Sequence, residues 1–322
     1  MMDLILENEI DKNKSKEYFY VINYPTYEEE LCNLEMKCIF NDVSKEKYIF
    51  SNNCVNPSRS PFIKEKISII YSANTLEKIV EKIIEDKLAY EQFKVCYVKA
   101  IQNDPLSYQE RLNALKEVGF VIKGYPNLQS PKVLLGVSKI GDRWIFGEYE
   151  KNDYEWHIHD EKPYSYSNGL SVRMSRAIVN IAIENNFESK LVDPCCGIGT
   201  VVIEASSLDL NIKGYEISRP IGQNAKKNLK FFGYKDVITI GSMHDIEEKF
   251  DVAIVDIPYG LFSPTTLKDQ LDIIKTARKI AKKMIIITFE DMDNHIISQG
   301  FKIIDKCCVK KGNFKRYIEI CK

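Results

Sequence analysis

The sequence predicts an α/β protein: a mostly parallel sheet closed by a terminal antiparallel hairpin, preceded by a smaller α+β region. Three observations carry this. From residue 170 onward, short apolar runs alternate with amphipathic helical segments, the pattern of a parallel sheet with helical crossovers. At the end of the chain, two strand-like runs meet around Gly312 with no helix between them. Before residue 150 the strand and helix signals are mixed and follow no such alternation. A length of 322 residues suggests about two domains.

In chain order, Tyr18–Ile22 and Tyr48–Phe50 read as short strands, with a helix opening near Tyr27–Cys32 between them. Asn52-Asn53 and Asn56–Pro61 mark a loop. Leu76, Ile79, Val80, Ile83 and Ile84 recur at helical spacing. Phe93–Val98 alternates like a strand, and Ser107–Val118 reads as a helix closed by Gly119. Val133–Val137 and Trp144–Gly147 form a hairpin turning at Gly141-Asp142. Helices are then expected over Arg173–Ile183, Thr200–Leu208 and Ser218–Phe232, the last with a Ser cap and a closing Gly233. Strands are expected over Lys190–Asp193, Ile212–Glu216, Val237–Ile240, Val252–Asp256 and Met284–Phe289, and the hairpin over Lys302–Val309 and Phe314–Ile320. The corresponding domains are 1–65, a small α+β domain; 66–150, a second α+β module; 151–169, a linker; and 170–322, the parallel-sheet domain.

Composition excludes several classes. Hydrophobic residues are 44% and charged residues 28%, an ordinary globular balance. The longest strand-like apolar block, Ile285–Phe289, is far too short to span a bilayer, so no membrane association is expected. The acidic Met1–Glu7 stretch lacks a basic region and a long apolar core, so a secretory signal is not expected. A net charge of −1 argues against coating nucleic acid by bulk electrostatics, although residues 268–322 hold 13 basic against 7 acidic residues. The 9 cysteines form no Cys-x-x-Cys pair, and the 4 histidines have no ligand spacing with them; no metal is expected, and reduced thiols point to the cytoplasm.

Two motifs carry chemistry. In Leu191–Thr200 an apolar strand runs into Asp193, then the Gly197-Ile198-Gly199 turn, then a helix. Open α/β sheets bind ligands at such a crevice, and glycines let backbone approach a ligand closely. Val202 stands where a dinucleotide fingerprint needs its third glycine, which weakens a pyrophosphate reading. Glu216, ending the next strand, can accept from both ribose hydroxyls of an adenosine. A nucleoside with a small amino-acid tail, S-adenosyl-L-methionine, satisfies these features. The second motif, Asp256-Ile257-Pro258-Tyr259, ends a strand expected beside the first. It suits methyl transfer to an exocyclic amine. Such a nitrogen is a weak nucleophile, and the Asp256 carboxylate and Ile257 carbonyl can draw on its hydrogens. Pro258 stiffens the turn, and Tyr259 offers a stacking face to an extruded base.

These residues resemble a class I, Rossmann-like S-adenosylmethionine-dependent methyltransferase with an amine-methylating Asp-Pro-Pro-Tyr type motif. Asp193–Thr200 is similar to the Asp-Pro-x-Cys-Gly-x-Gly-Thr signature of tRNA guanine-N2 methyltransferases that carry a THUMP domain, and Leu170–Asn180 resembles the segment leading into it. The resemblance is strong over 165–290 and weaker over 66–150, where the element order is THUMP-like. It implies that Asp193, Cys195, Gly197, Gly199 and Thr200 hold the methionine end of the cofactor. Glu216 would hold the ribose, Ile217 the adenine face, and Met243 or Asp245 the adenine amine. Asp256, Ile257, Pro258 and Tyr259 would hold the target guanine, and the THUMP-like module would grip a tRNA. A monomer suffices for these roles. Ile257 departs from the family's first proline, and Gly241–Asp245 departs from its usual glycine–acid pair. Two other readings share these residues: an N6-adenine methyltransferase on DNA or RNA, and a non-catalytic RNA-binding protein with a relic fold.

Overall fold

The computed structural model describes residues 16–43, 46–100, 106–166, 169–258, 265–312 and 314–322. Its first half runs β1 (Tyr18–Ile22), α1 (Glu29–Phe40), β2 (Tyr48–Ser51), β3 (Ile63–Ala73), α2 (Leu76–Glu85), β4 (Phe93–Tyr97), α3 (Tyr108–Val121), β5 (Val133–Ile140) and β6 (Arg143–Lys151). There follow α4 (Val172–Ile183), β7 (Leu191–Asp193), α5 (Thr200–Ser207), β8 (Ile212–Glu216), α6 (Arg219–Phe231), β9 (Ile238–Ile240), β10 (Phe250–Asp256), α7 (Leu267–Ile280), β11 (Ala281–Thr288), α8 (Asp293–Ser298), β12 (Ile303–Lys311) and β13 (Phe314–Cys321).

The chain divides into two compact units. One comprises Met1–Ile22, Lys45–Pro57 and Ile63–Lys151. It is a single six-stranded sheet in the order β2-β1-β3-β6-β5-β4. One core gathers Ile79 and Ile83 of α2, Val118 of α3 and Phe93, Leu135 and Phe146 of the sheet. A second gathers Phe19, Ile67, Ile145 and Tyr149. A separate domain ending at residue 65 is therefore not what forms. That boundary falls inside β3, whose long antiparallel pairings with both β1 and β6 tie the first strands into the later sheet. Nor does α3 stop at Gly119. Burial of Val118 and Ile122 on either side carries the helix past the glycine, whose intrinsic cost of about 1 kcal/mol is small beside that packing.

The other unit comprises Asn23–Ser44, Ser58–Phe62 and Asn152–Lys322. Its seven-stranded sheet has the order β12-β13-β11-β10-β7-β8-β9. The β10–β11, β10–β7, β7–β8 and β8–β9 pairs are parallel, and β13 runs antiparallel to β11 and β12, as the terminal hairpin requires. Helix α1 and residues 58–62 belong here, and so does the stretch expected as a linker, where Glu155–Glu161 forms a 3₁₀ helix with Trp156 and His159 buried. Ser218 occupies the N-cap of α6 without a side-chain cap bond; its backbone N–H is directed to Glu216 instead. The core between α7 and the sheet is built from Ile273, Ile274, Ala277 and Ile280 against Ala253, Val255, Met284 and Ile286.

The strand order positions the site. The chain leaves β7 toward β8 on one side and returns to β10 on the other, which makes a topological switch point where α/β sheets open a crevice. The carboxyl ends of β7, β8 and β10 carry Asp193, Glu216 and Asp256.

Candidate functional site

At the tip of β7, Asp193 is 4% exposed and its Oδ1 accepts from the Cys195 N–H at 3.3 Å. The loop then takes two left-handed steps, Gly197 at φ +52° and Gly199 at φ +83°, which an L side chain rarely adopts. A Cβ on Gly199 would lie 3.4 Å from Ala225, whereas one on Gly197 would meet nothing within 4 Å. Gly199 is thus required by its backbone, at an ordinary contact distance from Ala225, and Gly197 borders open space. Cys196 N–H donates to Tyr215 O at 2.9 Å, lacing the loop to β8, and Thr200 starts α5.

Glu216 clamps the same loop. Its Oε2 accepts from Gly197 N–H at 3.0 Å and its Oε1 from Ser218 N–H at 2.8 Å, so the carboxylate is aimed and held by backbone on both sides. Ile217, the next residue, is 74% exposed, unusual for a large aliphatic beside a crevice. Beyond β9, Met243 is buried with its sulfur 3.7 Å from Cys195 Sγ, and Asp245 is exposed.

At the tip of β10, Asp256 Oδ1 is buried with no hydrogen-bond partner among the described residues. Leaving a buried acceptor unmet costs about 1–3 kcal/mol, so a protein retains one where something else supplies the donor. Ile257 explains its own departure from proline. Its side chain is 2% exposed in the core, and its N–H donates to Ile287 O at 3.1 Å, a bond proline cannot make. Pro258 O accepts from Gln270 Nε2 at 3.1 Å. Tyr259, expected as the stacking face, lies outside the described residues.

The charges bring the three tips into one space. Burial drives the Asp193 carboxyl well above the usual carboxylate range, and the negative charges of Asp256 and Glu216 push it further the same way. Burial raises Asp256 to about 6, with Arg316 pulling it back down. The Cys195 thiol is raised by burial and feels all three carboxylates. A cleft so arranged favours a ligand that brings positive charge and hydrogen-bond donors. Open space over Gly197 fits a ligand such as S-adenosylmethionine, and the unmet Asp256 acceptor fits a group that donates hydrogen bonds. Among the described residues no group of three or more His, Cys, Asp or Glu could hold a metal ion, and no helix is long and apolar enough to cross a membrane.

Three residues that sequence reasoning left out of the reaction site help to build it. Gln270 on α7 fixes the Pro258 carbonyl. Asn228, fully buried on α6, donates to Ile198 O and Tyr164 O, both at 3.0 Å, and accepts from Tyr164 N–H at 3.0 Å, fastening residue 164 to the glycine loop. Arg316, in the basic C-terminal stretch, bears on Asp256, stands 5.2 Å from the Phe289 ring centroid and donates to Gly169 O at 3.3 Å. A buried-polar signature marks Asn228 only once α6 is known to face the loop.

Residues 160–285 match the family described as "RMKL-like, methyltransferase domain". The chain is 28% identical over 196 residues to a tRNA (guanine(10)-N2)-dimethyltransferase of Pyrococcus abyssi, covering 56% of this chain and 58% of that protein. It is 25% identical over 204 residues to a protein of the same name from Methanothermobacter thermautotrophicus, covering 60% and 59%. It is 28% identical over 148 residues to a U6 snRNA (guanine-N(2))-methyltransferase of Mus musculus, covering 43% and 28%. The matches to the two archaeal relatives thus span somewhat under six-tenths of their length. All three strand tips lie within the residues that match this family.

Proposed function

We propose that the protein transfers a methyl group from S-adenosyl-L-methionine to the exocyclic N2 amine of a guanosine in tRNA. The observation that carries this reading is the shared cleft of Asp193, Glu216 and Asp256, in which Asp256 keeps a buried acceptor unmet. The guanine-N2 specificity in the relatives' names supports the choice of amine and of RNA.

When bound, the cofactor supplies an electrophilic methyl on a sulfonium sulfur. The glycine loop and Asp193 receive its amino-acid end, Cys195 and Thr200 flank that end, and Glu216 accepts from its ribose hydroxyls with a carboxylate already oriented by two backbone amides. Ile217 and the Met243–Asp245 turn border the adenine. Asp256 and the Ile257 carbonyl accept hydrogen bonds from the guanine amine, which raises the nucleophilicity of its nitrogen and stabilises positive charge as the new bond forms. Pro258, with Tyr259 after it, shapes the base pocket. Orientation of nitrogen against methyl supplies the rest of the rate. Asp256 must be ionised for this role, which its value of about 6 permits at neutral pH. The six-stranded unit serves as a THUMP-like tRNA grip, and one chain in the cytoplasm completes the cleft, since every residue named in it comes from one unit.

The test is incubation of the full chain with unmodified tRNA and methyl-labelled cofactor, followed by nucleoside analysis. Label in N2-methylguanosine or N2,N2-dimethylguanosine is expected. Label confined to N6-methyladenosine, to DNA or to protein, or no label at all, would overturn the reading.

A further inference from the structure

A cavity of about 730 Å³ lies in the same unit as the strand tips. Arg316 belongs to both, since it lines the cavity and its charge reaches Asp256. One wall is the β12–β13 hairpin, which contributes Lys311, Lys315 and Arg316. The lining also includes Trp156 and His157, whose rings stack with centroids 3.8 Å apart. Lys162 adds a further cation, and the lining Arg173 is already paired with Glu28 at 3.2 Å.

Two features have no explanation in the folded chain alone. Lys310 stands directly opposite Lys315 across the hairpin, a like-charge pairing that destabilises an antiparallel ladder. Among the described residues neither Lys311 nor Lys315 meets a carboxylate, and both are exposed. Second, Trp156 is 3% exposed, yet its indole N–H finds no acceptor among the described residues. A polyanion with planar groups answers the first directly, since phosphate relieves the lysine repulsion, and the exposed His157 ring stacked on Trp156 offers a face to an unstacked base.

We infer that this cavity seats the single-stranded nucleotides flanking the target guanosine, with phosphodiester on Lys311, Lys315 and Arg316 and a base against the His157–Trp156 stack. The inference deepens the proposed function and rests on it, since it assumes an RNA substrate at Asp256. It makes the substrate a locally unpaired segment, because a base within a duplex is stacked and paired and has no free face to lay on an aromatic ring.

The sequence contains 2 tryptophans, and the other, Trp144, is buried in the six-stranded unit. Trp144→Phe in the full chain therefore leaves Trp156 as the sole reporter. A single-stranded RNA oligonucleotide should quench its emission saturably, and an RNA duplex of equal length at least about tenfold more weakly. In Lys311→Gln/Lys315→Gln the dissociation constant, read independently by anisotropy of a labelled oligonucleotide, should rise roughly 10- to 100-fold. The slope of log affinity against log salt should flatten by about 1.4, two phosphates at about 0.7 each. Calorimetric binding of S-adenosylhomocysteine should not change in that variant. Unaltered RNA affinity and salt slope in the double variant, or equal binding of single strand and duplex, would overturn the cavity assignment. Failure of the underlying activity would show differently, as wild-type protein that labels no RNA.

Discussion

Two buried polar clusters in the same unit differ in one respect, and the difference separates architecture from chemistry. The first joins residues 58–60, α1, α4 and α5. Arg59 donates to Asn180 and Asn185, each at 2.9 Å, and to the Glu184 carbonyl. Arg176 donates to Glu204 at 3.1 Å, Ser207 at 2.8 Å and Ser58 O at 2.9 Å. Glu35 meets Ser60 at 2.7 Å and Asn180 at 2.6 Å, and His159 bridges Glu204 and Tyr234 at 2.6 and 2.9 Å. Every charge there has an opposite charge or a donor. The second cluster gathers three carboxylates, Asp193, Glu216 and Asp256, in which the charges of Asp256 and Glu216 add to the burial that raises Asp193, and an Asp256 acceptor is left open. A fully satisfied network specifies a fold, and a network short of donors is completed by a ligand.

The comparison breaks most readily at Asp256. Asp256→Ala should lower kcat by about 10²–10⁴-fold while leaving S-adenosylhomocysteine affinity unchanged, because it removes an acceptor used on the reacting nitrogen alone. Comparable losses of kcat and cofactor affinity would move Asp256 into the donor site. In the satisfied network, Arg176→Ala leaves Glu204 buried without its cation and should cost about 3–5 kcal/mol in urea unfolding. A loss below about 1 kcal/mol would mean that the two clusters are not distinct in kind.

Protonation sharpens the contrast. Since Asp256 acts ionised and burial lifts it to about 6, kcat/KM should rise with pH up to about 6 and then level. Arg316 holds that value down, so Arg316→Ala should displace the limb toward higher pH; a limb unmoved or displaced toward acid contradicts the assignment. Glu319, fully buried on β13, is lifted to about 8 by burial, with Asp293 adding to the lift. The unfolded chain ionises a glutamate near pH 4.3. Folding stability from this group is therefore complete below about pH 4 and declines as pH rises toward 8. Glu319→Gln should remove that decline, measured as melting temperature at pH 5 and pH 9, and an unchanged pH profile would contradict it. The smallest effect belongs to Gln270→Ala, which frees the Pro258 carbonyl and should raise KM for RNA several-fold with cofactor affinity intact.

The strand tips were legible because each is a run of apolar residues ending in one acid, and parallel neighbours place such ends on one edge. Asp193, Glu216 and Asp256 came from that pattern together with the family resemblance. Helix α7 is not among the helices the sequence predicts, although its capping box, Thr266 with Asp269, is present in the sequence. The satisfied network was not legible at all. Arg59 and Arg176 are ordinary basic residues until the fold brings positions 117 apart into contact. The boundary at residue 65 failed for a related reason. Strand pairing across long separations, β1 with β3 and β3 with β6, leaves no local composition signal.

The central claim is that the tips of β7, β8 and β10 form one cleft that binds the methyl donor. Calorimetric titration of the full chain with S-adenosylhomocysteine tests it, comparing wild type, Glu216→Ala and Asp256→Ala. Single-site binding is expected in wild type, with loss of at least about 30-fold in Glu216→Ala and none in Asp256→Ala. Absence of binding in wild type, or equal affinity in wild type and Glu216→Ala, would contradict it.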